Sequence, residues 1–575
     1  MTDGTDTEVL QPYDFAQMAA SLVDTFPSAA NRRWLEQSWK HPDSYRAALF
    51  ARAAGQSGAF KSRTDGGIDA YHDLVQANTG KQRTALVYSS DGESIASLSY
   101  DALHTACVAL GEAWRAQGVE AGDTLAVLTA PGPSRVAAIM AGLRLGLQVS
   151  VVEPRGRRYV QNRLRLLDPA HIAGGHDVSW YASEREPLPL SMRDPAQAPR
   201  PGGSHSYAAD EPMLTFCSPL AEGEEALCHL TAIQALSAIL SDALLLLPIR
   251  PGERVAAPGR DRTLIEPALM LATFAAGGSF VDLDMAQCRR TPALLADAGI
   301  EVVLASPDLC DLVLSQPDDL TSSWKRWFLD PTARMSWEPW AQLAERLRPR
   351  GVACSKGIYI AAFGGTLALA PKTLAPDPLR IVPAPGVAWS LRDVSGIDSP
   401  VPLDNGVLAV EGFSAAQVGT LMVSGSGLAY GLGGSLQPLV DGRPYPVQEV
   451  VSLAQEHPLV AHAAVVVVPD GTVMNHGRSA LLLFVAPLWE PQSSVEVGQL
   501  RSAAQDLVDT ELGPHVRPDS VEVYRLSPRL RDGLVDPVWV RGQYLTGMLS
   551  AKRSRTAFVT LARLRQLFAL DAESS

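Results

Sequence analysis

Thr124-Leu-Ala-Val-Leu128, the stretch from Ser134 to Leu145, and Gln148-Val-Ser-Val-Val152 decide the fold. The outer two are five-residue apolar runs, the length of a strand, and the middle one is long enough for a helix. Strand, helix and strand at this spacing predict a βαβ unit in a largely parallel sheet. Upstream, Ala85-Leu-Val-Tyr88 reads as a strand and Tyr100 to Gln117 as a helix. Downstream the alternation restarts with a helix from Ala232 to Leu247, a strand at Arg254-Val-Ala-Ala257 and a helix from Leu264 to Ala276. It continues with a strand from Ser279 to Leu283, a helix from Thr291 to Ala298, a strand from Glu301 to Leu304 and a helix from Pro307 to Leu314. Two βα-rich halves of similar pattern predict two stacked subdomains within one large domain.

The rest of the chain is organised around that core. The first 80 residues are polar-amphipathic, with apolar points at Trp34, Trp39, Tyr45, Leu49 and Phe50, and are expected to form a helical extension. The large domain is expected over 81–437. A Gly- and Pro-rich stretch runs from Leu421 to Val451, and a small α+β domain is expected over 438–548. Its elements are a helix from Pro446 to Gln455, strands from Ala461 to Val468 and Leu481 to Val485, a helix from Val497 to Glu511 and a strand from Ser520 to Tyr524. The tail, 549–575, reads as a basic amphipathic helix. Phe558, Leu561, Leu564 and Phe568 are spaced three and four apart beside Arg563 and Arg565. Docking on the protein's own body and contact with a partner or membrane surface are its two readings.

Composition narrows the function classes. Across 575 residues, 49 Lys and Arg stand against 62 Asp and Glu, a net charge of −13, which argues against a nucleic-acid-binding surface. Hydrophobic residues make up 46 % and charged ones 19 %, enough for a large core and too apolar for global disorder. Cys107, Cys217, Cys228, Cys288, Cys310 and Cys354 form no CxxC pair and no Cys/His cluster of zinc-finger spacing, so free thiols are expected and no metal site. The acidic N-terminus lacks a signal pattern, and the longest apolar stretch, Ala235 to Ile249, is broken by Ser237, Ser241 and Asp242. A soluble, cytoplasmic protein without integral membrane association is the expectation.

Several segments, in order, carry a resemblance. They are Leu98-Ser-Tyr-Asp-Ala-Leu103, Gly118-Val-Glu-Ala-Gly-Asp-Thr-Leu-Ala-Val-Leu128, Ile139-Met-Ala-Gly-Leu-Arg-Leu-Gly146 reaching Val151-Val-Glu-Pro154, Gly419-Thr-Leu-Met-Val-Ser-Gly-Ser-Gly-Leu-Ala-Tyr-Gly431 and His457-Pro-Leu-Val-Ala-His-Ala-Ala-Val-Val466. Between about Thr84 and Val540 the chain resembles the adenylate-forming superfamily of acyl-CoA synthetases, luciferase-like enzymes and nonribosomal peptide adenylation domains. The resemblance implies an α/β fold: a large N-terminal domain of two stacked βα subdomains and a small C-terminal α+β domain.

The elements that handle ATP in that family depart from its pattern. Its loop "YTSGTTGxPKGV" grips phosphates with backbone N–H groups and a lysine. The matching stretch is Phe216-Cys-Ser-Pro-Leu-Ala-Glu-Gly-Glu-Glu-Ala-Leu227, where only Ser218 and Gly223 keep the pattern. Pro219 removes an N–H, and Glu222, Glu224 and Glu225 place negative charge where a triphosphate would sit. The family's "YGxTE" corresponds to Phe363-Gly364-Gly365-Thr366-Leu367, and Leu367 replaces the glutamate that helps hold magnesium. The neighbourhood of "YRTGDL" is missing, with Asp441 the nearest substitute, and that residue also fits an Asp-Gly turn. In Ser527-Pro-Arg-Leu-Arg-Asp-Gly-Leu-Val-Asp536 the family's catalytic lysine has become Leu534, with Arg529 and Arg531 as displaced cations or solvated surface.

There is no GxSxG elbow, HExxH helix or HHxxxDG motif. Cys228-His229 beside the altered loop is a candidate thiolate–imidazole pair, although neighbours on one strand point apart and packing is the plainer reading. Arg260-Asp261-Arg262 lies where the family's acyl-pocket helix begins and fits either an anionic ligand or a salt-bridge cluster.

The expectation is a pseudo-adenylation protein, with no cofactor. It would be an auxiliary or scaffold component of fatty-acid, polyketide or nonribosomal-peptide type biosynthesis. Its substrate-binding or vestigial nucleotide pocket would contain Ser218, Gly223, Arg260, Arg262, Phe363, Gly364, Gly365 and Thr366. Two alternatives stay open: an active carboxylate ligase that uses ATP and Mg, and an ATP-independent enzyme acting on an acyl thioester. The partners left open are an acyl- or peptidyl-carrier protein, a biosynthetic enzyme, a small carboxylate or acyl ligand, and a second copy of the chain.

Overall fold

The computed structural model describes residues 37–57, 60, 67–174, 187–190, 203–217, 226–259, 265–316, 318–329, 337–360, 364–373, 382–387, 389–392, 406–410, 421–424, 427–430, 439–440, 443–469, 477–485, 494–531 and 533–549. The chain divides into two compact units, Met1–Pro154 with Asn162–Leu436, and Arg155–Gln161 with Gln437–Ser575. The expected tail helix lies outside the described residues.

Two sheets organise the large unit. One has the order β5-β3-β4-β6-β7, from β3 (Thr124–Leu128), β4 (Gln148–Val152), β5 (His171–Gly174), β6 (Pro212–Cys217) and β7 (Leu227–Thr231). All its neighbours are parallel except β6 and β7. The other sheet has the order β14-β13-β12-β11-β10-β8-β9-β1-β2. Its strands are β1 (Thr84–Tyr88), β2 (Ala96–Ser99), β8 (Arg254–Ala256), β9 (Ser279–Asp282), β10 (Val302–Ala305), β11 (Arg326–Leu329), β12 (Ala353–Ile360), β13 (Gly365–Thr373) and β14 (Val382–Pro383). The six strands from β12 to β1 run parallel, and β2, β13 and β14 are antiparallel additions at the edges. The chain therefore has the α/β architecture that the βαβ spacing predicts.

Helices explain why the strands are apolar on both faces. Here α1 is Pro42–Ser57, α2 Tyr100–Arg115, α3 Pro133–Leu145, α4 Ala232–Ser241 and α5 Ile265–Ala275. Residues 135–145 of α3 and all of α5 are buried, as expected of helices apolar on every side. One cluster of buried residues joins Leu125, Val127 and Val149 of the first sheet to Phe280, Val302 and Leu304 of the second. A separate cluster, with Val281, Val303 and Trp327, fills the other face of the second sheet. At the end of α3, Gly146 takes the left-handed conformation (φ 85°), which closes the helix and turns the chain into β4.

The N-terminal helical segment is part of this core. Tyr45, Leu49 and Ala53 of α1 are buried, and the Tyr45 hydroxyl is hydrogen-bonded to Ser241 Oγ at 2.9 Å. The helix expected to reach Leu247 stops at Ser241 and continues as one π-helical turn, Asp242–Leu246. Pro248 has no N–H to extend the ladder, and Leu247 N closes the wide turn on Asp242 O at 2.8 Å. A helix absent from the sequence reading, Met285–Arg290, follows Asp284, whose carboxylate accepts from Ala286 N. The glycine stretch after Leu421 contains a hairpin of β17 (Leu421–Ser424) and β18 (Gly427–Tyr430) in an antiparallel sheet with β15 (Trp389–Arg392) and β16 (Gly406–Val410).

The small unit has short strands β19 (Leu439–Val440) and β20 (Arg443–Pro444), followed by a three-stranded sheet. That sheet comprises β21 (Val460–Pro469), β22 (Gly477–Val485) and β23 (Ser520–Tyr524), with β21 antiparallel and β23 parallel to β22. Helices α6 (Val447–Gln455) and α7 (Ser494–Leu512) contribute Val450, Leu453, Leu500 and Val508 to the core on one face. On the other face α8 (Pro537–Leu545) contributes Val540. Hairpin β24 (Leu530–Arg531) and β25 (Leu534–Val535) precedes α8. No helix among the described residues is long and apolar enough to cross a membrane.

Candidate functional site

Ligands of open α/β sheets bind beyond the carboxyl ends of the strands, at points where strand order reverses. Three of the singled-out segments leave such ends in the large unit. The stretch 218–225 leaves the carboxyl end of β6 and returns as β7. The segment 361–364 leaves the carboxyl end of β12 and turns into β13. Arg260 and Arg262 follow the carboxyl end of β8, whose neighbours are β9 on one side and β10 on the other, a point of order reversal. At that point Ser306 Oγ, at the end of β10, donates to Pro258 O at 2.7 Å. Ser218, Gly223, Arg260, Arg262, Phe363 and Asp441 themselves lie outside the described residues.

The structure brings the second segment onto the hairpin that carries the first. Gly364 is buried in the left-handed region at φ 69°, and a Cβ there would collide with Leu230 Cδ1 of β7 and approach Phe216 Cε2 of β6 to 3.6 Å. Glycine is required on both counts. At the next residue, a Cβ on Gly365 would lie 3.0 Å from Asp242 Oδ2 and 3.3 Å from Ala238 Cβ. The Asp242 carboxyl, 1 % exposed on the π-helical turn, is thus against the backbone of this motif. Thr366 pairs with Tyr359 across β12 and β13, and Leu367 falls at the register shift before Ala368. Beyond Asp242, the buried Tyr45 phenol has its pKa raised well above the ordinary value, first by burial and further by the Asp242 charge, against an opposing Ser241 hydrogen bond.

Cys228 and His229 occupy β7 with opposite orientations. Cys228 is buried opposite Phe216, whereas His229 is exposed opposite Thr215. The imidazole instead meets its neighbours on β4 and β6: Nδ1 is 2.9 Å from Gln148 Nε2 and 3.1 Å from Thr215 Oγ1. Because the Gln148 amide N–H₂ can only donate, Nδ1 accepts from it and the proton of neutral His229 sits on Nε2.

A buried ionic cluster at the seam of the two sheets was missed from sequence. Arg135 Nη2 on α3 lies 3.1 Å from Glu266 Oε2 on α5 and 3.3 Å from Asp282 Oδ2 at the end of β9. Asp282 Oδ2 also accepts from Gly132 N at 2.7 Å, at the positive end of α3. The signal was present: Arg135, Glu266 and Asp282 are opposite charges in otherwise apolar elements, and such residues are seldom buried unless paired. Among the described residues, no group of three or more His, Cys, Asp or Glu side chains could hold a metal ion.

In the small unit, Leu534 stands where the resemblance places the catalytic lysine. It is 51 % exposed, on the strand after Gly533, which has φ 81°. Arg531 pairs opposite it across the hairpin, and Arg529 Nε is 3.4 Å from Asp536 Oδ2.

No protein-family model matches the chain, and no curated protein matches it. Solved structures do. An amide bond synthetase from Marinactinospora thermotolerans is similar with a TM-score of 0.62 and 20 % identity, over 83 % of this chain and 99 % of that one. A double mutant of the o-succinylbenzoate CoA synthetase of Bacillus subtilis gives 0.61 and 15 %, over 83 % and 98 %. An artificially fused adenylation–PCP di-domain NRPS from Klebsiella oxytoca gives 0.60 and 13 %, over 79 % and 85 %. At these identities the likeness establishes a shared fold.

Proposed function

We propose that this chain, built on the fold of the adenylate-forming enzymes, is a pseudo-adenylation protein. It would not bind Mg–ATP in the manner of that family, and would act as an auxiliary or scaffold component of fatty-acid, polyketide or nonribosomal-peptide type biosynthesis. One observation carries the reading: Gly364 packs on Leu230 of the β6–β7 hairpin, which joins the motif that ends in Leu367 to the hairpin whose connection is acidic. The hairpin's connection carries Glu222, Glu224 and Glu225, and the motif after Gly364 ends in Leu367. Carboxylates repel phosphates, and a leucine offers no oxygen to magnesium. Arg260 and Arg262, which follow β8 in the sequence, suit a small carboxylate or acyl ligand. The adenylation–PCP neighbour supports a carrier protein as the partner class.

An active carboxylate ligase is the second reading, favoured by Asp242, which places a carboxylate against Gly365 from a different element. Titrating the full chain with Mg–ATP in a calorimeter separates the two. The proposal expects no heat of binding and no carboxylate-dependent pyrophosphate release. Micromolar binding or release of pyrophosphate overturns it in favour of the ligase.

A further inference from the structure

A ring of contacts within the large unit encloses the motif strand β13 and closes on the N-terminal helix α1. It starts at Gly365, the first residue of β13, against which the Asp242 carboxyl and Ala238 lie. Asp242 follows Ser241, whose Oγ is hydrogen-bonded to the Tyr45 hydroxyl of α1 at 2.9 Å. At one edge β13 pairs with β14, Ala368 opposite Pro383 and Leu369 opposite Val382. From β14 the chain runs to Gly386, which takes the left-handed conformation (φ 80°). A Cβ on Gly386 would lie 2.7 Å from Tyr45 Cε1, so the phenol ring is seated directly on that backbone. Gly386 N also donates to Ser38 Oγ, ahead of α1, at 2.8 Å. Tyr45 thus touches both of the elements that support β13.

The helix itself is held by one narrow stripe. Between 42 and 55 its buried residues are Tyr45, Ala48, Leu49 and Ala53, which share one helical face, and two of the four are alanines. The other residues of that span are exposed or half-buried, whereas α5 is buried along its whole length. A one-sided helix with so little apolar contact opens at a lower cost than the core it covers. We propose that α1 is a latch on the candidate site: seated, it fixes the backbone of the Gly364–Thr366 motif, and unseated, it frees that strand. Tyr45 is a positioning residue, acting through Ser241 and Asp242 on one side and through Gly386 on the other. The latch is regulation of the ligand site proposed for that motif and rests on that reading. Calorimetry reads the chemistry of the site and amide exchange reads its placement, so either can fail without the other.

Hydrogen–deuterium exchange of the full chain, resolved by mass spectrometry, tests the latch. Tyr45→Ala is expected to speed amide exchange at least about tenfold across 365–373 and 382–387. Exchange in β3, β4 and the three-stranded sheet of the small unit should stay at the parent's rate. Tyr45→Phe keeps the ring on Gly386 and should restore most of the protection. Should Tyr45→Ala fail to fold, the milder pair Tyr45→Phe with Ser38→Ala carries the test, and the same two segments should exchange faster than in the parent. Unchanged exchange across 365–373 overturns the proposal. So does a uniform rise throughout the large unit, which would make α1 an ordinary piece of its core.

Discussion

Arg135 and Asp282 meet at the seam of the two large sheets, with Nη2 3.3 Å from Oδ2 and both side chains almost wholly buried. Asp282 ends β9, and Arg135 lies in the first turn of the helix that follows β3. Glu266 completes the cluster on the guanidinium. The interaction therefore fixes the carboxyl end of one sheet to the helix leaving the carboxyl end of the other. Arg135→Met leaves two buried carboxylates without their cation, and a loss of about 3–5 kcal/mol is expected. Urea unfolding followed by tryptophan fluorescence measures it. A combined Arg135→Met, Glu266→Gln, Asp282→Asn variant should recover much of the loss, because no uncompensated charge remains.

Gly364→Ala should destabilise the large unit through two separate causes. A left-handed conformation strains a residue with a Cβ by about 1–3 kcal/mol, and the methyl group also collides with Leu230. Leu230→Ala in the same chain removes the collision and leaves the strain. The double-mutant cycle, read from thermal unfolding, should show coupling between the positions. Additive losses would mean that the backbone conformation alone requires the glycine.

The alternation of β3, α3 and β4 was legible because a fully buried strand or helix has to be apolar along its length, and those runs carry few polar residues. The capped helix Met285–Arg290 was legible in principle, since Asp284 with Gln287 three residues on forms a capping box, but six residues are too few to show a period. The candidate site was legible as motifs and not as geometry. Nothing in Phe363-Gly-Gly-Thr366 predicts that Gly364 would lie on Leu230, or that Asp242 would approach Gly365 from a helix more than a hundred residues earlier. Arg135, Glu266 and Asp282 stand in three separate elements, and only the packing of those elements brings them together. The burial of α1 and the exposure of Leu534 likewise depend on which neighbours cover them.

The acidic connection between β6 and β7 makes a nucleotide prediction. A carboxylate about 8 Å from a phosphate charge is repelled by about 2 kcal/mol at an effective dielectric of ~20. Replacing Glu222, Glu224 and Glu225 together by glutamine removes three such repulsions while keeping side-chain size. Calorimetry should then detect ATP binding at least about tenfold tighter than in the parent. If the triple variant is as silent as the parent, the loop acids are not what keeps the nucleotide out.

Buried phenols and thiols set the alkaline limit of stability. Burial raises the pKa of Tyr45, Tyr71, Tyr100, Tyr207 and Tyr445 above the ordinary 10.0, and pushes the Cys288 thiol up from 9.0 to about 12. Each group ionises in the unfolded chain before it ionises in the folded one. The folded state therefore keeps its full stability below about pH 9 and loses it as pH rises, by about 1.4 kcal/mol per pH unit for each group past its unfolded pKa. Urea midpoints should be level from pH 7 to 8.5 and fall steeply from pH 9 to 11. In parallel, tyrosinate absorbance near 295 nm should rise first for the accessible phenols. Tyr45, Tyr71, Tyr100, Tyr207 and Tyr445 should ionise only with unfolding. A midpoint that stays level to pH 11, or all thirteen phenols titrating near pH 10 in a chain that is still folded, would contradict the burial of these groups.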